Sequence, residues 1–278
     1  MSITNFIPTV WSGNILFRLY KAYVFANLAN RDYEGEIKNF GDVVKITQIG
    51  KVTVRDYTRN VDLVSPDELS DAQRELKIDQ AKYFNFQVDD VDKAQVKPQL
   101  IQGASQEASM AMADVVDQYL AGLITDASLR PYLNAAVATN SLNIQDIIVE
   151  IGKQMDNNNI PKANRFMVVP PWFSAKLTTA RLHQLTVDSS LYSTGFLTNA
   201  LGFNFYQSNN VLNDGTNYQI AAGVLNKSYT FADQILELVA YRPEKRFADA
   251  MKGLHVYGGK LLRPDMTACV DLSEAAES

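Results

Sequence analysis

Residues 43–89 read VVKITQIGKVTVRDYTRNVDLVSPDELSDAQRELKIDQAKYFNFQVD, and this stretch decides the fold. Its rising half sets Val52 and Val54 against Lys51, Thr53 and Arg55. Its returning half puts Leu76, Ile78, Phe84, Phe86 and Val88 on one parity and Lys77, Asp79, Asn85, Gln87 and Asp89 on the other. Period-two alternation marks a half-buried strand. Arms of roughly 14 residues at ~3.3 Å each reach ~45 Å, whereas ordinary strands run about 5–6 residues. A two-stranded ribbon of that length is marginal in water by itself. The expectation is that a neighbouring copy of the chain covers it.

The middle of the stretch carries two further signals. Ser65-Pro66-Asp67-Glu68 supplies a cap residue, a proline at the first helical position and a glutamate three residues after the cap. That capping box predicts a short helix through about Arg74. Charge is also polarised: Lys45, Lys51, Arg55 and Arg59 stand against Asp56, and then Asp62, Asp67, Glu68, Asp71 and Glu75 stand against Arg74. A basic stem with an acidic tip suits docking on a surface of alternating sign, because complementary charge sets register. The predicted inter-subunit contacts are therefore Lys51, Arg55, Asp56, Arg59, Asp62, Asp67, Glu68, Asp71, Arg74 and Lys77. The plainer alternative is that charge only keeps strand edges soluble.

Around the ribbon lies an ordinary globular composition, with 21% charged and 46% hydrophobic residues over 278 positions, enough for a sizeable core. A net charge of −5 argues against the chain as a whole gripping nucleic acid, which requires a basic footprint. A single cysteine, Cys269, excludes an intrachain disulfide framework. No apolar run reaches the ~18 residues of a membrane span and the start lacks a secretory pattern, so no membrane partner is expected.

Residues 1–40 mix apolar side chains with few turn signals and read as an arm that packs on something else. After the ribbon, Ile101, Ala104, Ala108, Met112 (or Ala111), Val115, Tyr119 and Leu123 keep helical spacing, with Gln99, Gln102, Gln106, Asp114 and Asp117 opposite. This predicts a rod of about 25 residues, roughly 37 Å long. From there α and β alternate. A helix capped by Ser141 or Asn143 turns Ile147, Ile148, Ile151 and Met155 inward and stops at Asn157-Asn158-Asn159. Arg165 to Val169 reads as a strand, Pro171 to Leu185 as a helix, Phe203 to Tyr206 and Tyr218 to Val224 as strands around the Asn213-Asp214-Gly215 turn. Strands follow at 235–241, 253–262 and 266–272, expected to return to the rod, before a disordered tail from Ser273.

Little in the chain has the pattern of catalytic chemistry. His183 and His255 lack metal-ligand spacing to Cys269 and read as packed or surface residues. Gly253-Leu254-His255-Val256-Tyr257-Gly258-Gly259-Lys260-Leu261 evokes a phosphate loop but fails it, since Gly259 precedes the lysine and Leu261 replaces the hydroxyl residue. Asp89, Asp90 and Asp92 have the residue types of a general-acid pair or a cation site, but read first as the end of the ribbon and the cap of the turn into the rod, where negative charge favours a helix start. No catalytic residue, cofactor or metal is predicted.

The order of these parts resembles the major capsid (coat) proteins of tailed bacteriophages, with the Hong Kong 97-type fold. The resemblance rests on four stretches: Asp79 to Phe86 with Val88 to Asp92 before a long helix; Pro161 with Asn164 to Pro171; Gly202-Phe203 with Gln207 to Val211; and Arg242, Glu244, Phe247, Asp249, Gly253-Leu254, Tyr257-Gly258 and Pro264. It implies an α+β fold with an N-terminal arm (1–40), an extended two-stranded loop (41–91), a peripheral domain holding the long spine helix (92–133 and 235–278) and an inserted α/β axial domain (134–234). It further implies a structural, non-enzymatic role in the virion capsid: pentamers and hexamers close an icosahedral shell, assembled in the host bacterial cytoplasm, around double-stranded DNA held without sequence-specific binding. With only about 40 residues before the ribbon, a separate scaffolding protein is expected, along with a portal. Relatives that cross-link through lysine–asparagine bonds make Lys51, Lys77 and Lys82 notable, but the sequence assigns no partner asparagine. The alternatives are an encapsulin-type nanocompartment shell, which shares the fold but encloses enzymes, and a soluble α/β enzyme of unknown reaction.

Overall fold

The computed structural model describes residues 23–33, 41–49, 56, 59, 71–89, 99–132, 136–180, 196–245 and 248–276. After Tyr23 comes one helical turn, α1 (Phe25–Leu28). Strands β1 (Val43–Ile49) and β2 (Asp71–Lys77) pair antiparallel, with Val43 opposite Lys77 and Ile49 opposite Asp71. Next come β3 (Gln80–Asp89) and α2 (Gln99–Gly122). The middle of the chain forms β4 (Val137–Thr139), α3 (Ile144–Asn157), β5 (Arg165–Val169), α4 (Pro171–Thr179), β6 (Phe196–Ala200), β7 (Phe203–Gln207), β8 (Leu212–Asn213) and β9 (Asn217–Val224). It closes with β10 (Tyr229–Tyr241), β11 (Ala248–Leu261) and β12 (Ala268–Glu274).

The first correction falls on the ribbon. Its returning half is not one strand: β2 pairs with β1, whereas β3 leaves the ribbon and pairs with β11 in a three-stranded sheet ordered β10-β11-β3. The alternation runs unbroken through Ile78 because both strands have one covered face, but the covers differ. The predicted helix through Arg74 is replaced at its end by β2, and Ser65-Pro66-Asp67-Glu68 lies outside the described residues, as do Val52 and Val54.

The rod is α2, with 24 residues that rise ~36 Å at 1.5 Å each. Its buried face is rotated from the expected one. Ser109, Met112, Ala113, Val116, Asp117, Leu120 and Ala121 are buried, while Val115 and Met110 are exposed. Asp117, expected on the solvent side, points inward because the strap at Tyr23 to Ala29 packs there. The arm thus ends on the body of its own chain, with Tyr23, Phe25, Ala26 and Leu28 in the main core.

A seven-stranded mixed sheet forms the other half, ordered β4-β12-β9-β5-β7-β6 with β8 beside β9. β5 sits between two strands and is buried at all five positions, so its run reads as continuously apolar rather than alternating. Pro170 and Pro171 end it, and Pro171 opens α4 at a position where the missing N–H costs nothing. α4 stops at Thr179; Arg181, Leu182 and His183 lie outside the described residues. Ile147, Ile148, Ile151 and Met155 of α3 are buried as expected. Arg165 locks the turn between α3 and β5, donating to the Asp156 carboxylate at 2.7 Å and to the Ile160 and Pro161 carbonyls.

Two more expectations change. β12 does not return to the rod but inserts between β4 and β9 of the seven-stranded sheet. The chain also stays ordered beyond Ser273: β12 runs to Glu274, and the Ala275 carbonyl accepts from Lys176 while its N–H donates to Thr139.

Candidate assembly surface

The three-stranded sheet has two dissimilar faces, and consecutive glycines of β11 set both. Side chains alternate across a strand, so Gly258 and Gly259 face opposite ways. A Cβ at 258 would collide with the Lys77 carbonyl oxygen and stand 2.8 Å from Ile78 Cδ1, so this glycine admits the base of the ribbon. A Cβ at 259 would stand 2.6 Å from Leu120 Cδ2, so this one admits α2. The run that superficially evoked a phosphate loop is therefore a double close approach.

On the ribbon side, Val44, Ile46, Leu76 and Ile78 bury against Ala232 and Val256 as a cluster separate from the main core. Lys45, Glu75 and Lys77 on the opposite parity are exposed. Farther along the same sheet face the cover stops. Tyr83 is 78% exposed there, and an open pocket of about 280 Å³ is lined by Tyr83, Asn85, Val239, Lys252, Gly253 and Leu254. Lys252 Nζ lies 5.4 Å from the centre of the Tyr241 ring, whose hydroxyl bonds the Asn85 amide.

The opposite face carries the strap. Asp117 of α2 accepts from the backbone N–H of Val24 at 2.7 Å and of Ala26 at 3.3 Å, capping the first turn of α1. Burial pushes the Asp117 carboxyl up from 3.8 to about 7, against the pull of these N–H donors. Asp233 of β10 accepts from Tyr23 Oη at 3.1 Å and from Arg31 at 2.6 Å. His255 Nε2 lies 3.1 Å from the same carboxylate. Burial raises the Tyr23 phenol further above its usual value, with the Asp233 charge adding to it. Asn30 then bridges the edge of β10, donating to the Tyr229 carbonyl and accepting from Phe231.

Of the ten charged residues expected to meet a neighbour, Lys51, Arg55, Asp62, Asp67 and Glu68 lie outside the described residues. Asp56, Arg59 and Lys77 are exposed, and Asp71 begins β2 opposite Ile49. Arg74 turns back on its own chain, donating to the Leu261 carbonyl at 3.3 Å. Lys82, noted with Lys51 and Lys77, is exposed on β3. Of the three aspartates assigned to the end of the ribbon, Asp89 closes β3 opposite Ala248, and Asp90 and Asp92 lie outside the described residues. Sequence reasoning missed Asp117, Asp233 and the pairing role of His255. The legible signal was an isolated acid within otherwise apolar periodicity at both aspartates. Among the described residues no three His, Cys, Asp or Glu stand together as a metal set, and no helix is long and apolar enough to cross a membrane.

A rod, a ribbon base docked by one face only, a strap and an inserted mixed sheet define the class of Hong Kong 97-type shell subunits. The sequence pattern of the family described as "Phage capsid protein" matches residues 72–270. A solved structure from Mycobacterium phage Che8 is 30% identical, with 89% of this chain and 90% of that chain covered and a TM-score of 0.71. The capsid structure of the cyanophage P-SCSP1u is similar at 16% identity, over 91% of this chain and 89% of that one, with a TM-score of 0.69. A virus-like particle from Pyrococcus furiosus, 10% identical over 93% of this chain and 96% of that one, reaches 0.58; the likeness of these two shows the fold alone. No curated protein matches the chain. The chain belongs to the phage capsid protein family. It is a structural subunit of a virion capsid shell, as expected from the order of its parts.

Proposed function

We propose that this protein is the subunit of pentamers and hexamers that close an icosahedral shell around packaged double-stranded DNA, without enzymatic activity. The family match over residues 72–270 is the observation that carries this reading. The division into an arm (1–40), an extended loop (41–91), a peripheral domain (92–133 and 235–278) and an axial domain (134–234) belongs to the same proposal, with β3 at the end of the loop lent to the sheet of β11 and β12 lent to the axial sheet. The ribbon is the part that clasps a neighbour. Its base holds to the body through the buried side chains of Leu76 and Ile78 and the Arg74 guanidinium, while Glu75 and Lys77 face solvent. The clasp uses Lys51, Arg55, Asp56, Arg59, Asp62, Asp67, Glu68, Asp71 and Lys77. Arg74 serves the base instead, through the Leu261 carbonyl. Assembly takes place in the host bacterial cytoplasm with a separate scaffolding protein and a portal, and the net charge of −5 suits DNA enclosed rather than gripped.

Removing residues 50–70 while keeping β1 and β2 tests the reading. The expected product is a folded subunit that electron microscopy never finds in closed particles. Shells of normal size and number from that variant would refute the clasp. Particles filled with protein and free of DNA, made by the unaltered chain, would favour the nanocompartment alternative.

A further inference from the structure

The hairpin joining β6 to β7 turns in two residues, Leu201 and Gly202, because Ala200 already pairs with Phe203. Both have positive φ, 51° and 85°, the pattern of a type I′ turn, whose first position favours asparagine, aspartate or glycine. A leucine there is strained, since its Cβ crowds the following carbonyl oxygen. Asn159, Asn164 and Asn226 take the same conformation with the residue type that tolerates it. Tyr132 takes it with its ring packed on the main core. Leu201 takes it while 43% exposed. An exposed leucine by itself is ordinary. One held in a strained turn, where asparagine would relieve both the strain and the exposure, marks a contact that the subunit does not make alone.

A second apolar feature lies at the opposite corner of the same seven-stranded sheet. Leu142 precedes Asn143, the N-cap of α3, a position from which an apolar side chain often packs on the fourth helical residue, here the buried Ile147. It is instead 74% exposed, and Val149, two turns along the helix, is 51% exposed. β4, β5 and β7 run parallel, so Leu142 follows the C-terminal end of β4 whereas Leu201 precedes the N-terminal end of β7. Four strand spacings of ~4.8 Å separate β4 from β7, or ~19 Å before the length of the strands is added. Within one subunit the two features cannot meet.

Charge follows the same axis. The hairpin end of the sheet exposes Lys162 and Lys227, with Asp156 held by Lys162 and Arg165. The Leu142 end exposes Asp146, Asp214 and Glu274. We propose that Leu201 of one copy seats against Leu142 and Val149 of the next, with the basic end of one sheet meeting the acidic end of its neighbour. This rests on the shell reading above and gives it one contact. Complementary patches on opposite sides of one chain make a head-to-tail interface, which closes into a ring when its rotation divides the circle. The apolar side chains are covered by the contact, and the opposed charges set its orientation.

Electron microscopy and thermal melting of the full-length protein test the contact. Leu201→Asn should melt at or above the parent, by up to about 4 °C, because the turn is relieved. It should nevertheless yield at least tenfold fewer closed particles, the loss expected at roughly 1.4 kcal/mol per contact. Leu142→Ser should keep the parent's melting temperature and lose particles likewise. In shells of Leu142→Cys/Leu201→Cys, oxidation should join copies into covalent ladders beyond the dimer, and neither single variant should do so; the native Cys269 is buried. Normal particle numbers from either polar variant would overturn the proposal. So would a polar variant that melts well below the parent or fails to fold, since the leucine would then serve its own subunit. Oxidised shells with no species beyond the dimer, or with bonds to a different protein, would overturn it too. Should the double-cysteine variant not assemble, the polar variants decide. A parent without closed particles would refute the shell reading and this contact with it, whereas particles from the parent and both polar variants would refute the contact alone.

Discussion

β5 and β2 are short strands of similar length in one chain, yet they live in different surroundings. β5 lies between β9 and β7, with all five residues buried. β2 has one strand neighbour, β1, and rests on the outer face of β11 by Leu76 and Ile78, next to the glycine that makes room for them. The first is complete within the subunit. The second buries one parity and leaves Glu75 and Lys77 in solvent, so a neighbour can still use it. The same division recurs across the three-stranded sheet, where the α2 face is packed and the opposite face is open at Tyr83, Asn85 and Lys252, beyond the cover of the ribbon base.

The sharpest way to break this comparison is to remove mass from each part. Phe205 is fully buried in β7, and Phe205→Ala should cost about 3–5 kcal/mol of unfolding free energy in urea, with the whole chain affected. A loss below about 1 kcal/mol would mean that the seven-stranded sheet is not the main core. Gly258→Ala should be milder, about 1–3 kcal/mol, because the ribbon base can lift from the Lys77 carbonyl contact instead of the core yielding. Its signature is faster hydrogen exchange in β1 and β2 with α2 unchanged; equal acceleration in α2 would show that ribbon and rod do not separate.

A third test uses pH. The Asp117 carboxyl binds its proton more tightly folded, at about 7, than unfolded, at 3.8. This contribution to stability is therefore fully present below 3.8 and is lost as pH rises through about 7. Asp117→Asn keeps an acceptor for the strap and should flatten that decline, by up to about 1.4 kcal/mol per pH unit. An identical pH profile for the variant would remove Asp117 from the account. The smallest effect is expected at the bare face: Tyr83→Ser should leave subunit stability within about 0.5 kcal/mol. A larger loss would mean that Tyr83 is covered within the subunit.

Much of the fold was legible in the residues, and the errors share one cause. The strands at 165–169 and 203–207, the turn at Asn213-Asp214-Gly215 and the inward face of α3 follow from local pattern, because each buries its face close to home in sequence. The ribbon was misread at Ile78 because alternation records that a face is covered, never by what. The face of α2 was misread because Asp117 looks like a solvent residue until the N–H groups of Val24 and Ala26, some ninety positions away, arrive to meet it. Asp233 and His255, 22 residues apart, were invisible as a pair because register across an antiparallel hairpin with a bulge at 235–237 is not written in either strand alone. The ribbon charges were legible as a pattern, but the bond from the Arg74 guanidinium to the Leu261 carbonyl was not, since it depends on where the end of β11 comes to lie.

By itself the sequence determined most of the elements and their order, though not the strand at 71–77, together with the half-buried character of the ribbon and the family to which that order belongs. Only the tertiary structure decided where β2 ends its service to the ribbon and β3 begins its own in the sheet. It also decided which glycine faces the rod, which buried carboxylates hold the strap, and that β12 completes the inserted sheet. The physical reason is that periodicity is a property of a segment, whereas partners, register and the burial of a lone charge belong to segments brought together from far along the chain.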